Sequence, residues 1–421
     1  MTKWLRFCSL FLLIGLNGYS QNSFNISGII KDKSGKPIPG AGVYLSSYKT
    51  ATVSNNEGQF ILTGIKPGNY DVLIEMMGYL PLSKNVIISD KSVKIDLLLK
   101  ENTIQLQEVV IKSDPNRERY IRLFIQQFIG MTPNAEQCKL LNPQVIQADF
   151  DKAANVLRVT ANEFLIIENK SLGYRIKYML ENFERDFKSN IVYYSGHPYF
   201  EELPGSKSKK KFWEKKREIA YLGSSQHFFR SLYRNTSVAN GFIMHKLAQV
   251  PNKNRLPDSL IRAHLNRLYK PGNPISRVNI LSEMTRKGSS PLNDSIDYWR
   301  KQEAVPKTIQ VLNREEIKID TLVQSLYSNL RTINFSDDLY VIYTNERETK
   351  EYTETSGYAM SRPLDVPNYQ ISLIHMIEAP IHFYVDGGIF NPKSTLMSGF
   401  WAYEKMADTV PMDYIPLTNR K

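Results

Sequence analysis

From Asn25 to Lys100, apolar and polar residues alternate in short runs, and each run stops at residues that favour turns. Val43, Leu45, Phe60, Leu62, Tyr70, Val72 and Ile74 share a period of two, which places them on one face of successive strands. Ser34-Gly35 and Pro39-Gly40 flank Lys36-Pro37-Ile38 and predict a chain reversal between the first two strands. Asn55-Asn56-Glu57-Gly58 supplies residues that tolerate positive φ before the strand from Gln59. Pro67-Gly68 suits the two central positions of a type II turn, and Gly78-Tyr79 closes the strand that follows. Short strands at near-regular spacing predict a small antiparallel β-sandwich.

The pattern then changes. Tyr120, Ile121, Phe124, Ile125 and Phe128 fall at helical spacing after Asp114-Pro115, and Gly130 to Pro133 ends that helix. Its apolar stripe is read as core. Val145–Asp151, Asn155–Ala161, Phe164–Asn169, Tyr174–Phe187 and Asn190–Gly196 are β-rich or alternating and predict a second sheet. Ser206 to Leu232 predicts a basic helix with Phe212, Trp213, Ile219 and Ala220 on one side, a break at Gly223, and another helix from Gln226. A helical insertion over about 206–268 follows from this reading. Loops are expected at Asn252–Asp258, Tyr269–Pro274 and Lys287–Asp294, and a helix at Ile317–Leu330. Leu339–Tyr343, Ile371–Ile377 and Ile381–Val385 read as strands, Asp386-Gly387-Gly388 as a turn, and Ser398–Met406 as a further aromatic element.

The first residues set an expected compartment. Lys3 and Arg6 precede an apolar run from Phe7 to Leu16, and small residues at Gly18 and Ser20 stand before Gln21. This is the pattern of a secretory signal peptide over residues 1–20. The run is short for a membrane span, which needs roughly 20 apolar residues. Beyond it Cys138 stands alone, so no internal disulfide framework is available, and it is read as a buried inert thiol. The formal net charge of +12 favours anionic surfaces, and in an exported chain this means lipid, acidic glycan or acidic protein, with no nucleic acid partner.

Several of these residues form a recognisable set. Gly28-x-Ile30-x-Asp32-x-x-Gly35-x-Pro37-Ile38-Pro39-Gly40-Ala41-x-Val43, then Asn55-x-x-Gly58-x-Phe60, Pro67-Gly68-x-Tyr70 and Gly78-Tyr79 resemble the carboxypeptidase-regulatory-like domain. That resemblance implies a transthyretin-like or prealbumin-like sandwich of a kind abundant in exported proteins of Bacteroidetes, and an accessory role without catalysis. Gln105 to Ile111 is similar to the link that follows this domain in TonB-dependent outer-membrane transporters, where a plug and a barrel come next. The residues after Ile111 do not repeat the amphipathic strands of about ten residues that a barrel requires. The words between Ile166 and Tyr233 resemble an uncharacterised region often fused to this domain, which implies no catalytic residues.

Candidate chemistry is sparse. His375-x-x-Glu378 followed by His382 has the letters of a zinc motif, but positions i and i+3 of a strand point to opposite faces, so no metal site is assigned. No Gly-x-Ser-x-Gly motif is present, Ser224 or Ser225 is read as a helix cap, and Asp337-Asp338 as a turn or cap. No catalytic residue and no cofactor is expected. Lys207, Lys209, Lys210, Lys211, Lys215 and Lys216 are the candidates for contact with an anionic surface, against a solvated helix whose aromatics are core.

The sequence therefore predicts a multidomain exported protein: an all-β prealbumin-like sandwich (24–101), a linker and helix (102–143), and an α+β region with a β-rich sheet (144–421). It is read as periplasmic or outer-membrane associated, a non-catalytic accessory or adaptor of an outer-membrane or periplasmic protein partner. One alternative is a surface glycan-binding protein with exposed parallel rings among Tyr193, Tyr194, Tyr199, Trp299 and Trp401. The other is a hydrolase whose site assembles from distant residues.

Overall fold

A computed structural model describes residues 23–102, 115–268, 291–327, 329–355 and 357–417. The expected signal peptide, the Gln105–Ile111 link and the Tyr269–Pro274 loop lie outside them. The described residues are β-rich, with 41% of them in strands against 23% in helices.

Seven strands come first: β1 (Phe24–Lys31), β2 (Gly42–Leu45), β3 (Ala51–Val53), β4 (Gln59–Ile65), β5 (Gly68–Glu75), β6 (Leu82–Ile88) and β7 (Val93–Leu98). They form two sheets, ordered β4-β1-β7 and β3-β2-β5-β6. All pairings are antiparallel except β1 with β7. Ile26, Ile30 and Leu97 from the first sheet meet Val43, Val72 and Ile74 from the second in one core. All seven residues of the period-two pattern are buried there.

One turn differs from expectation. Positive φ falls on Gly64, at 75°, whereas Gly68 opens β5 in extended pairing with Ile88. A Cβ on Gly68 would lie 2.9 Å from the ring of Tyr70, whose hydroxyl donates to the Lys66 carbonyl. The glycine is there to admit that ring.

Helix α1 (Arg117–Phe128) follows, with Ile121, Phe124 and Phe128 buried as its spacing predicts. It packs on a sheet of β8 (Cys138–Leu140), β9 (Ile146–Asp151), β10 (Val156–Ala161), β11 (Leu165–Asn169), β12 (Tyr174–Asp186) and β13 (Ile191–Glu202). β12 is the longest strand, pairing β11 through its first half, β10 through its last residues, and β13 along its other edge. The same core includes Met406, Ala407, Val410 and Tyr414, so the C-terminal tail returns to this layer.

Two helices, α2 (Lys207–Tyr221) and α3 (Ser225–Tyr233), lead to β14 (Phe242–Pro251) and α4 (Asp258–Leu268). The expected helical insertion over 206–268 is therefore interrupted. β14 sits inside a five-stranded sheet, where Phe242, Met244 and Leu247 are buried and both edges are paired. α5 (Pro291–Ala304) begins inside the segment expected to be a loop, on a proline whose missing N–H costs nothing in a first turn.

β15 (Thr308–Glu316) completes the hairpin with β14. The helix expected at Ile317–Leu330 is short: α6 (Ile319–Leu322) gives way to β16 (Val323–Tyr327), paired with β17 (Leu330–Ile333). The apolar spacing fits both periods over so short a stretch, and pairing in the β16-β17-β20 sheet decides. Leu326 and Tyr327 are left 48% and 68% exposed. β18 (Asp338–Arg347), the short α7 (Lys350–Glu354), β19 (Tyr369–Met376), β20 (Ile381–Tyr384), β21 (Thr395–Gly399) and α8 (Phe400–Tyr403) complete the chain. The large sheet runs β15-β14-β18-β19-β21. Among the described residues no helix is long and apolar enough to cross a membrane, which says nothing of a β-barrel.

Candidate functional site

The outer face of the sandwich's second sheet is covered by the chain's own β12–β13 layer. Leu73 shows why. It lies on the opposite face of β5 from Val72 and Ile74, yet its exposure is 0%. A strand buried on both faces reads as a continuous apolar run, and Val72-Leu73-Ile74 is such a run inside an otherwise alternating strand. Leu73 pairs with Tyr44, whose ring lies 4.5 Å from that of Tyr199 and 6.1 Å from that of Phe164. Phe164 and Tyr199 are themselves buried.

Polar contacts ring this apolar centre. Lys177 Nζ donates to Glu75 Oε2 at 2.7 Å and to the Tyr44 hydroxyl at 2.8 Å. Burial alone would lower the Lys177 pKa, but the hydrogen bonds and charge interactions with Glu75 and Tyr44 together outweigh it and raise it. His197 stands between the bodies, with Nδ1 3.5 Å from Asp71 and Nε2 3.0 Å from Glu181. The backbone closes the seam: Phe200 N–H donates to the Tyr48 carbonyl at 3.1 Å, and Met412 N–H donates to the Ser47 carbonyl at 2.7 Å.

A cleft of about 740 Å³ opens beside this seam, within the size range of ligand pockets. Tyr48, Asn69 and Tyr70 line it from the sandwich, and Arg230, Tyr384, Asp386 and Tyr414 from the C-terminal region. Arg230 is the pin of its floor, donating to the carbonyls of Asp386, Met412 and Tyr414. Tyr48 donates to Asp386 Oδ2 at 2.6 Å, and Asn69 Nδ2 donates to the Tyr384 hydroxyl at 3.0 Å. Burial, then the Asp386 carboxylate, pushes the Tyr48 phenol far above its ordinary value, so it stays a donor. The turn at Asp386-Gly387-Gly388 forms as expected, and it also carries the carboxylate of this contact. A link across 338 residues leaves no mark in local pattern.

The residues of the zinc-like motif are dispersed. His375 is on β19, Glu378 beyond its end accepting from Asn391 Nδ2 at 2.7 Å, and His382 on β20 in another sheet. Among the described residues no group of three or more His, Cys, Asp or Glu could hold a metal. The structure instead brings His375 between two neighbours the sequence did not connect. Nδ1 lies 2.6 Å from Asp338 Oδ1, and Nε2 3.3 Å from Ser398 Oγ. The register of β18, β19 and β21 puts the three on one face of the large sheet. The order Ser–His–Asp is that of an activated nucleophile, but none of the three lines the cleft or the two smaller cavities beside it.

The six lysines do not form one patch. Ser206 caps α2 by accepting from Lys209 N–H, which fixes the helix phase. Lys210 faces a cavity of about 330 Å³ with Glu202, Glu214 and Arg217, and Lys209 lies 5.1 Å over the Trp213 ring. Lys207, Lys211 and Lys215 are exposed, and Lys216 is half-buried 6.0 Å over Phe212. Trp213 and Ala220 are buried as expected, but Phe212 and Ile219 are not: they are 51% and 57% exposed. The helix turns them away because Arg217 and Tyr221 occupy the inner face, Arg217 donating to the carbonyls of Leu172 and Gly173.

The five rings named for a glycan platform are spread out. Tyr199 and Trp401 are buried, Tyr194 packs edge-on to Phe128, Tyr193 lies under Lys393, and Trp299 stacks on His264 at 4.0 Å. Cys138 is half-buried and its thiol donates to the Asn134 carbonyl. Burial, then Asp408, pushes that thiol up to about 12, which disfavours the reactive thiolate.

Comparison with known proteins bears on the first module. Residues 26–111 match the family profile of the CarboxypepD_reg-like domain, and this part of the chain is such a domain. Over 100 residues the chain is 28% identical to the TonB-dependent receptor SusC of Bacteroides thetaiotaomicron, a stretch covering 24% of this chain and 9% of that receptor. Among solved structures, catechol 1,2-dioxygenase from Acinetobacter sp. ADP1 overlaps 21% of this chain and 55% of its own at 12% identity, with a TM-score of 0.17. A cohesin–X-dockerin complex from Acetivibrio cellulolyticus overlaps 18% of this chain and 58% of its own at 21% identity, also with a TM-score of 0.17. Overlaps of this size carry no argument about function.

Proposed function

We propose that the chain is a non-catalytic, exported protein of a Bacteroidetes cell envelope, periplasmic or outer-membrane associated. In this reading it is an accessory or adaptor of an outer-membrane protein assembly. The prealbumin-like sandwich, residues 24–101, is its interaction module, and the α+β region from 144 is the body that carries it. The domain match and the partial likeness to an outer-membrane receptor support the envelope setting.

One observation carries the reading. The second sheet of the sandwich is consumed by its own chain through Leu73, Tyr44 and Lys177, so the module is held in a fixed orientation. Its first sheet keeps an outer face on which Ile61 and Leu98 are 49% and 63% exposed. A module fixed on one face and open on the other suits a bridging role. Tagging the chain in its native host, solubilising the envelope mildly and isolating the tag tests this. The expected result is recovery with a defined outer-membrane or periplasmic protein; recovery of the chain alone overturns it.

A second reading, a surface glycan-binding protein, is favoured by the cleft rather than by the five rings named from sequence. Tyr48, Tyr70, Tyr384 and Tyr414 line it together with Asn69 and Asp386. Retardation on polysaccharide gels that is lost in Tyr384→Ala would support this reading over the first.

A further inference from the structure

The outward face of α2 combines two features that a solvated helix does not need together. Phe212 and Ile219, seven residues apart, lie two turns apart on one line of the helix surface. Lys211, Lys215 and Lys216 flank them. Both acids of the helix are turned elsewhere. Glu218 accepts from the Tyr414 hydroxyl at 2.9 Å and from Leu417 N–H at 2.6 Å, and Glu214 lines the cavity with Lys210 and Arg217. The outward line of the helix thus carries an exposed apolar pair with Lys215 and Lys216 beside it, while Lys210 is turned into the cavity with Glu214.

We propose that this face docks on an anionic phospholipid surface. The two apolar side chains would enter the headgroup boundary while Lys211, Lys215 and Lys216 meet the lipid phosphates. An acidic protein groove would satisfy the lysines as well. A flat membrane fits better because the apolar pair and its cations share one convex helix face, with nothing concave about it. The inference goes beyond the adaptor reading and stands whether or not a protein partner binds the sandwich.

The test is co-sedimentation of the full chain with vesicles containing about 30 mol% phosphatidylglycerol, compared with vesicles of phosphatidylcholine alone. The chain should partition to the anionic vesicles and be released by high salt. Each Lys→Gln change at 211, 215 or 216 should lower the partition coefficient about fivefold. Phe212→Ser with Ile219→Ser should abolish binding that lysines alone cannot hold. Lys94→Gln, the same charge change on an exposed position of β7, is the control and should leave binding intact. Since all the substituted side chains are exposed or half-exposed, unchanged circular dichroism should accompany each variant. Equal partition to neutral vesicles, a Phe212→Ser/Ile219→Ser variant that binds like the parent, or a loss with Lys94→Gln as large as with the α2 changes would each overturn the proposal.

Discussion

Tyr48 of the sandwich donates its hydroxyl to Asp386 of the C-terminal region at 2.6 Å. The bond joins two bodies whose residues are far apart in sequence, and it is half-buried at the edge of a cleft. Tyr48→Phe removes the donor and leaves the carboxylate with the Gly388 N–H alone. A lost hydrogen bond to a charged group costs about 1.5–3 kcal/mol. Chemical denaturation of the full chain should show that loss, and a smaller one for Asn69→Ala, whose bond to Tyr384 is between neutral groups.

Leu73 gives a sharper test of docking. Leu73→Asp places a charge in a fully buried apolar seam and should cost at least about 3 kcal/mol of docking energy. Hydrogen exchange should then accelerate in β12 and β13 around Lys177 and Tyr199, with the sandwich core itself still protected. Ile61→Asp, on the open sheet, should leave β12 and β13 as they are.

Asp408 predicts a pH dependence. It accepts from Thr132 Oγ1 and from Asn134 Nδ2 at 2.8 Å, tying the C-terminal tail to the segment after α1. Burial pushes its pKa from 3.8 up to about 6, despite those hydrogen bonds. The folded state therefore holds the proton more tightly than the unfolded one. The stability from this group is fully present below about pH 4 and is lost as pH rises through about 6, an effect on the order of 3 kcal/mol. Denaturation midpoints of the parent and Asp408→Ala, followed from pH 4 to 7, should converge or cross as the parent loses this contribution. Parallel curves for the two proteins would show that Asp408 is not the group.

The Ser398–His375–Asp338 line makes the non-catalytic reading testable at one atom. A competent nucleophile would be phosphonylated by a fluorophosphonate at Ser398 Oγ, its proton passing to His375 Nε2 and fluoride leaving. The proposed function predicts no stoichiometric labelling of the native chain. Labelling that disappears in both Ser398→Ala and His375→Gln would establish a hydrolase instead.

What could be read from the chain follows physical range. The sandwich core was legible because each strand carries its own period and each turn its own glycine or proline. Strand positions from Ile146 to Gly196 are legible for the same reason, whereas the extension of β13 to Glu202 follows from its pairing with β12. Leu73 is masked by the alternating residues on either side of it, although its apolar character in the polar register is a signal of burial on both faces. β14 was hidden in a stretch framed by helices, and β16 in apolar spacing that fits both periods. The outward position of Phe212 and Ile219 is not legible, because helical spacing shows which residues share a face but not which face the rest of the fold accepts. Asp386 and the His375 neighbours depend on register across strands, which no local pattern encodes.

The central claim is that the sandwich is fixed through one sheet and meets an envelope partner through the other. Photo-cross-linking residues placed singly at Ile61, Leu98 and Leu73 in the native host test it most directly. The account predicts that Ile61 and Leu98 capture a discrete envelope protein, while Leu73 yields only a cross-link within the chain, to the β12–β13 layer. Capture of a foreign protein from Leu73 with none from Ile61 or Leu98 would contradict it.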